Sequence, residues 1–140
     1  MIEVMENCIF CKIVRGQVPS ELVYEDEHVL GFLDIHPNNP GHTLIVPKIH
    51  AKNIFDITEN TWCALAPAIH KLAPAIMKAV EAHGMNITMN NEPAAGQIVF
   101  HAHIHLIPRF ENDGYHLWKG KESTDEARKK VAEKIKAQLT

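Results

Sequence analysis

No stretch of this 140-residue chain approaches the ~18 consecutive apolar residues of a membrane span. Its opening, MIEVMENC, has neither the basic nor the apolar region of a secretory signal. No run of Lys or Arg precedes the C-terminal tail, and 14 basic against 17 acidic residues leave a net charge of −3. That balance argues against nucleic acid as the main partner. Cysteine is scarce: there are three, and two of them stand as C-x-x-C at positions 8 and 11. Three is an odd number and the pair is close-set, which excludes a secreted disulfide framework and points to the cytoplasm. Internal repeats and low-complexity blocks are absent as well.

What is present suits one domain over residues 1–140, since 46% hydrophobic residues can build a sizeable core in a chain of this length. CIFCKIVRG reads as a short apolar helix or turn closed by Gly16. Leu22 to Tyr24 and Val29 to Asp34 read as strands joined by a charged hairpin. After the Pro- and Asn-rich loop HPNNPG, HTLIVPK gives a third strand. Helical spacing runs from Glu59, behind the N-cap candidate Thr58, to a C-terminal Gly84, with Pro67 and Pro74 expected to kink the axis. MNITMN and IVFHAHIHLIPR supply strands four and five, and a charged helix occupies 123–140 as an extension. This order predicts an α+β fold with a five-stranded antiparallel sheet, a long kinked helix and a C-terminal helix.

FHAHIHLIPRF carries the chemistry. A strand sends alternate side chains to opposite faces, so His101, His103 and His105 share one face while Phe100, Ala102, Ile104 and Leu106 face the core. Along a strand, residues i and i+2 are ~7 Å apart and i and i+4 ~13 Å, so one metal ion explains two of these imidazoles and leaves the third idle. Nucleophilic catalysis on phosphorus uses all three. A neutral imidazole is a good nucleophile near pH 7, with flanking rings to bind oxygens or carry protons.

The sequence resembles the histidine-triad proteins, the nucleoside phosphoramidase and dinucleotide hydrolase superfamily. Their signature, His-x-His-x-His followed by two apolar residues, reads here H-A-H-I-H-L-I. The likeness extends from CIFCKIVRGQVPSELVYED through FLDIHPNNPGHTLIVPKIH to NNEPAAGQIVFHAHIHLIPR. It implies a nucleotide hydrolase in which His103 attacks the α-phosphate, with His105 and His42 completing the cluster around it. It further implies Asp34 at the ribose hydroxyls, Asn91 and Gln97 beside the phosphate, and a purine base pocket of Ile9, Phe10, Ile13, Phe32 and Ile35. A homodimer joined through the long helix and its neighbouring strand is also implied. Two departures bear on rate and substrate preference. Ile98 stands where many relatives carry Ser or another polar residue, and Glu92-Pro93 stand where a Gly is frequent.

The C-x-x-C pair has three readings. A thioredoxin-like redox motif needs a preceding strand, and only seven residues precede Cys8. Two free thiols packed as small apolar residues is the second. The third is structural zinc, which needs two further ligands; by the resemblance these are His50 and His101, completing Cys8 and Cys11. Cys63 is expected in the core. Two alternatives to the hydrolase stand: a non-catalytic nucleotide-binding, zinc-stabilised interaction module, and a metal-dependent hydrolase.

Overall fold

In the hairpin, β1 (Leu22–Glu25) pairs antiparallel with β2 (Val29–Leu33), and Asp26 closes the turn by accepting from the N–H groups of His28 and Val29, both at 2.8 Å. β2 pairs in turn with β3 (Thr43–Pro47). The computed structural model describes residues 5–139; residues 1–4 and 140, the ends of the expected domain, lie outside the described residues. A short helix α1 (Ile9–Val14) precedes the hairpin, and the long helix α2 (Glu59–Ala79) precedes β4 (Gly84–Thr88), β5 (Ile104–Arg109) and α3 (Asp125–Gln138). The five antiparallel strands run in the order β1-β2-β3-β5-β4. Among the described residues no helix is long and apolar enough to cross a membrane.

β2 and β3 are continuous apolar runs because both of their faces are covered. Val29 and Ile45 pack with Leu65, Ala68, Leu72 and Ile76 of α2, together with Ile104 and Leu106. Leu30, Phe32, Leu44 and Val46 face the other way, against Phe10 of α1. Gly31 lets the long helix come close, since a Cβ there would lie 3.2 Å from Leu72 Cδ1. Truncating Leu65, which is 1% exposed, should cost about 2–5 kcal/mol.

Thr58 is the N-cap of α2, its hydroxyl accepting from the Thr61 N–H at 3.2 Å. The helix continues through Pro67 and Pro74, both exposed, so the Cys63 and His70 carbonyls that lose their donors sit on the solvent side. It stops earlier than the sequence suggested, at Ala79 with Val80 as its cap. Glu81 takes the left-handed conformation (φ 54°) expected of a glycine, while Gly84 opens β4. Cys63 is exposed, not core, because it lies on the outer face of α2. α3 has no buried residue, leaving Val131 and Ile135 open to solvent.

The main correction concerns the histidine strand. β5 begins only at Ile104, so His101 and His103 lie on an irregular segment ahead of it and only His105 is a strand residue. Phe100 is 43% exposed rather than core, whereas Ala102, Ile104 and Leu106 are buried as the alternation predicts.

Candidate active site and metal centre

Cys8 caps α1, its sulfur accepting from the Cys11 N–H at 3.4 Å, which gathers both thiols at the helix start. His50 follows β3 and His101 precedes β5; the Ala102 N–H donates to the Ala51 carbonyl at 2.7 Å and draws these two segments together. The two Nδ1 atoms then stand 3.2 Å apart, Cys11 Sγ is 3.4 Å from His50 Nδ1, and His101 Nδ1 is 3.4 and 3.5 Å from Cys8 Sγ and Cys11 Sγ. All four atoms lie within 4.8 Å of one another. A tetrahedral zinc ion, with Zn–S near 2.3 Å and Zn–N near 2.0–2.1 Å, would separate N from N by ~3.3 Å and S from N by ~3.6 Å. The four residues fit such an ion. His101 Nε2 donates to the Pro47 carbonyl at 2.8 Å, which leaves the Nδ1 lone pair pointing at the centre. Burial holds the His101 pKa down at about 4, the neutral form a metal requires. The same burial pushes the Cys11 thiol up, an effect that a cation at the centre would reverse.

His103 is two residues further on and 7% exposed. Its Nδ1–H donates to the His101 carbonyl at 2.7 Å, and Phe10 meets the ring edge-on at 5.1 Å. With Nδ1 protonated, Nε2 keeps a lone pair. Burial lowers the His103 pKa, so the ring is neutral near pH 7.

His105 and His42 are brought together by the β3–β5 pairing, with His42 Nε2 2.9 Å from His105 Nδ1. His42 Nδ1 accepts from the Asn38 backbone N–H at 3.1 Å, so its proton is on Nε2 and is donated to His105 Nδ1. His105 therefore carries its own proton on Nε2. Burial lowers the pKa of His42 and takes that of His105 to about 4, so both are neutral. Asp34 Oδ2 stands 3.6 Å from His42 Nε2, and Asp34 Oδ1 accepts from the His36 N–H at 2.9 Å, so the residue also shapes the turn before the loop. Asp34, His42 and His105 are close enough to hold a metal ion, but the tautomer opposes it. A ligand nitrogen needs a lone pair, and the Asn38 donor forces a proton onto His42 Nε2.

The other expected residues divide by burial. Phe10 and Phe32 pack edge to face at 5.4 Å within the core, and Ile13 joins the same cluster. Ile9 and Ile35 are exposed, at 42% and 83%. Asn91 Oδ1 accepts from the Ile54 N–H at 2.9 Å. Gln97 is 4% exposed and bonded through both ends of its amide to neighbouring chain. Ile98, at 87% exposed, presents a bare apolar side chain. Sequence reasoning missed Asn38, whose contribution is a backbone donor with no sequence signature. It also missed Lys52 and Asn53, which bond to Glu92 beside Gln97.

Known proteins share this sequence pattern and this fold. Residues 15–112 match the family model described as HIT domain. The chain is 49% identical to Protein hit of Bacillus subtilis over 116 residues, 81% of this chain and 80% of the relative. It is 41% identical to Adenylylsulfatase HINT3 of Arabidopsis thaliana over 107 residues, 76% of this chain and 54% of the relative. Among solved structures, SMU.412c from Streptococcus mutans superposes with a TM-score of 0.93 at 46% identity, covering 97% of this chain and 87% of that one. A Zn-bound histidine triad family protein from Mycobacterium smegmatis gives 0.75 at 37%, covering 87% and 88%. By sequence and by fold, the chain belongs to the HIT domain family.

Proposed function

We propose that the protein is a nucleotide-binding hydrolase. It cleaves nucleoside phosphoramidates, or related adenylylated and dinucleoside polyphosphate compounds, to a nucleoside monophosphate through a nucleotidyl-histidine intermediate. The observation that carries this reading is the pairing of opposite tautomers on neighbouring rings: a bare lone pair on His103 Nε2 and an N–H on His105 Nε2. His103 Nε2 attacks the α-phosphorus and the bond to the leaving group breaks. The ring becomes cationic, and its Nδ1–H donation to the His101 carbonyl becomes a charge-assisted hydrogen bond. The His105–His42 pair passes a proton from solvent to the leaving group, and the water that opens the P–N bond in the second half returns one, so neither ring is left as an anion.

Asp34 binds the ribose hydroxyls in this reading, Asn91 and Gln97 flank the phosphate, and a purine base packs on Ile9, Phe10, Ile13, Phe32 and Ile35. The adenylylsulfatase name of the Arabidopsis relative supports an adenylylated substrate class. Cys8, Cys11, His50 and His101 hold zinc in a structural role, as the Zn-bound relative and the ligand distances support. Bound there, the ion ties the N-terminal segment, the end of β3 and the triad segment together. Two chains pair through α2 and β4, which is an edge strand with Ile87 half exposed. Sedimentation of a monomer at micromolar concentration would count against that. The cytoplasm is the proposed location.

Ile98 favours one rival, a non-catalytic nucleotide-binding module, because no hydroxyl stands there to donate to a phosphate. Turnover of adenosine phosphoramidate and a diadenosine polyphosphate, measured beside AMP binding, separates the two. Binding without turnover sinks the hydrolase.

A further inference from the structure

The segment that carries His101 and His103 has no sheet ladder to hold it, since β5 starts at Ile104. Beside the Ala102 and His101 bonds to Ala51 and Pro47, Gln97 anchors its start. The Gln97 carbonyl oxygen accepts from the Glu92 N–H at 2.9 Å and from Asn53 Nδ2 at 3.0 Å. Its amide nitrogen donates to the carbonyls of Lys52 at 2.7 Å and Val99 at 3.1 Å. Glu92 lies at φ 75° and ψ 157°, a region suited to glycine and strained for any residue with a Cβ. Its side chain holds it there. Lys52 Nζ donates to both carboxylate oxygens, at 3.0 and 2.9 Å, and Asn53 Nδ2 donates to Oε1 at 3.1 Å. The Lys52 ammonium also lies 5.5 Å from the centre of the Phe100 ring, next to His101.

We propose that the Lys52–Glu92 ion pair, acting through Gln97, is a positioning device for His103. It sets the backbone of residues 97–103, and with it the His101 carbonyl that fixes the His103 tautomer. The inference rests on the catalytic reading of His103 above. Lys52 and Glu92 are positioning residues. Their side chains are 46% and 42% exposed, so as a surface pair they contribute little to stability. Rate is more sensitive, because a displacement of ~1 Å can cost ~10²-fold.

The test compares Glu92→Gln, Glu92→Gly and Lys52→Met with the unaltered chain on adenosine phosphoramidate, with metal content and melting temperature measured for each. We expect kcat to fall at least roughly fivefold in all three while KM stays within about threefold. The melting temperature should move by only a few degrees. Lys52→Arg should restore most of the rate. Glu92→Gly is the sharpest variant: glycine relieves the backbone, so if strain alone mattered the rate would hold or rise. A second readout needs no turnover. The His103 Nδ1–H, shielded by the His101 carbonyl, should exchange with solvent faster in the variants by 15N NMR. A smaller fall in kcat, or a fall that tracks lost melting temperature, overturns the proposal. If the unaltered chain turns nothing over, the hydrolase reading fails, and unchanged His103 exchange then overturns the positioning role.

Discussion

His50 with His101 and His42 with His105 are two pairs of imidazoles in nitrogen–nitrogen contact, at 3.2 and 2.9 Å, each beside side chains that can carry negative charge. They are built for different ends, and the far nitrogen shows why. In His101 it meets a carbonyl acceptor, so the near nitrogen is stripped and can bind a cation. In His42 it meets a backbone donor, so the near nitrogen keeps a proton and passes it to a neighbouring ring. Proximity alone does not separate a metal site from a proton relay; the partner on the other side of each ring does. His103, between the two clusters in sequence, uses the carbonyl arrangement beside the Phe10 ring, which leaves its Nε2 lone pair free for the nucleophilic role proposed above.

The largest expected effect tests that middle ring. His103→Asn should lower kcat by at least ~10³, as for loss of a catalytic nucleophile. AMP affinity should shift by less than about 1.4 kcal/mol, which is tenfold. Retention of more than about a tenth of the turnover would defeat the covalent mechanism. His105→Asn removes the N–H partner and should cost ~10² in kcat, within the range of general acid–base groups. Steady-state kinetics showing no change would mean the relay side of the comparison is wrong.

Metal removal addresses the other pair. Elemental analysis of protein purified reduced and without chelator should find about one zinc per chain, because the binding energy of such a site appears as folding energy. Stripping it should lower the melting temperature by roughly 10 °C or more, by the scaling of a few kcal/mol in a chain of this size. Activity at a permissive temperature should survive. Activity that vanishes on chelation while the melting temperature holds would instead make the ion catalytic.

The smallest effect is in pH. Burial takes the His105 pKa to about 4 and lowers those of His42 and His103 from their ordinary value, so all three are mainly neutral at pH 6.5 and above. Turnover should be flat from pH 8 to about 6.5 and fall only below that, with His105 itself charging near pH 4. Stability follows the same sign. Between about 6.5 and about 4 only the unfolded chain gains the His105 proton, so this group withdraws about 1.4 kcal/mol per pH unit as pH falls. A melting temperature that rose on acidification from 6.5 would contradict the neutral cluster.

Much of this was legible in order and spacing. The five strands, the capping Thr58 and the extended charged tail follow from periodicity and local chemistry, which act over a few residues and so survive in a linear string. The element ends were less so. The helix stops at Ala79 rather than running to Gly84, because Glu81 adopts the left-handed turn that the glycine seemed reserved for. Cys63 looked like core, yet the apolar face of α2 is decided by which side meets the sheet.

By itself the sequence determined the antiparallel α+β frame, the kinds of residue available for chemistry and the separation of Cys8–Cys11 from the histidine motif. Tertiary structure alone decided that the triad is not one strand face: His101 turns to the thiols, His105 turns to His42, and His103 is left between them. The reason is physical. An imidazole is ligand, nucleophile or proton carrier according to which nitrogen holds the hydrogen. The choice is made by the Pro47 carbonyl, the Asn38 N–H and the His101 carbonyl, backbone groups that every sequence possesses and only the fold can aim.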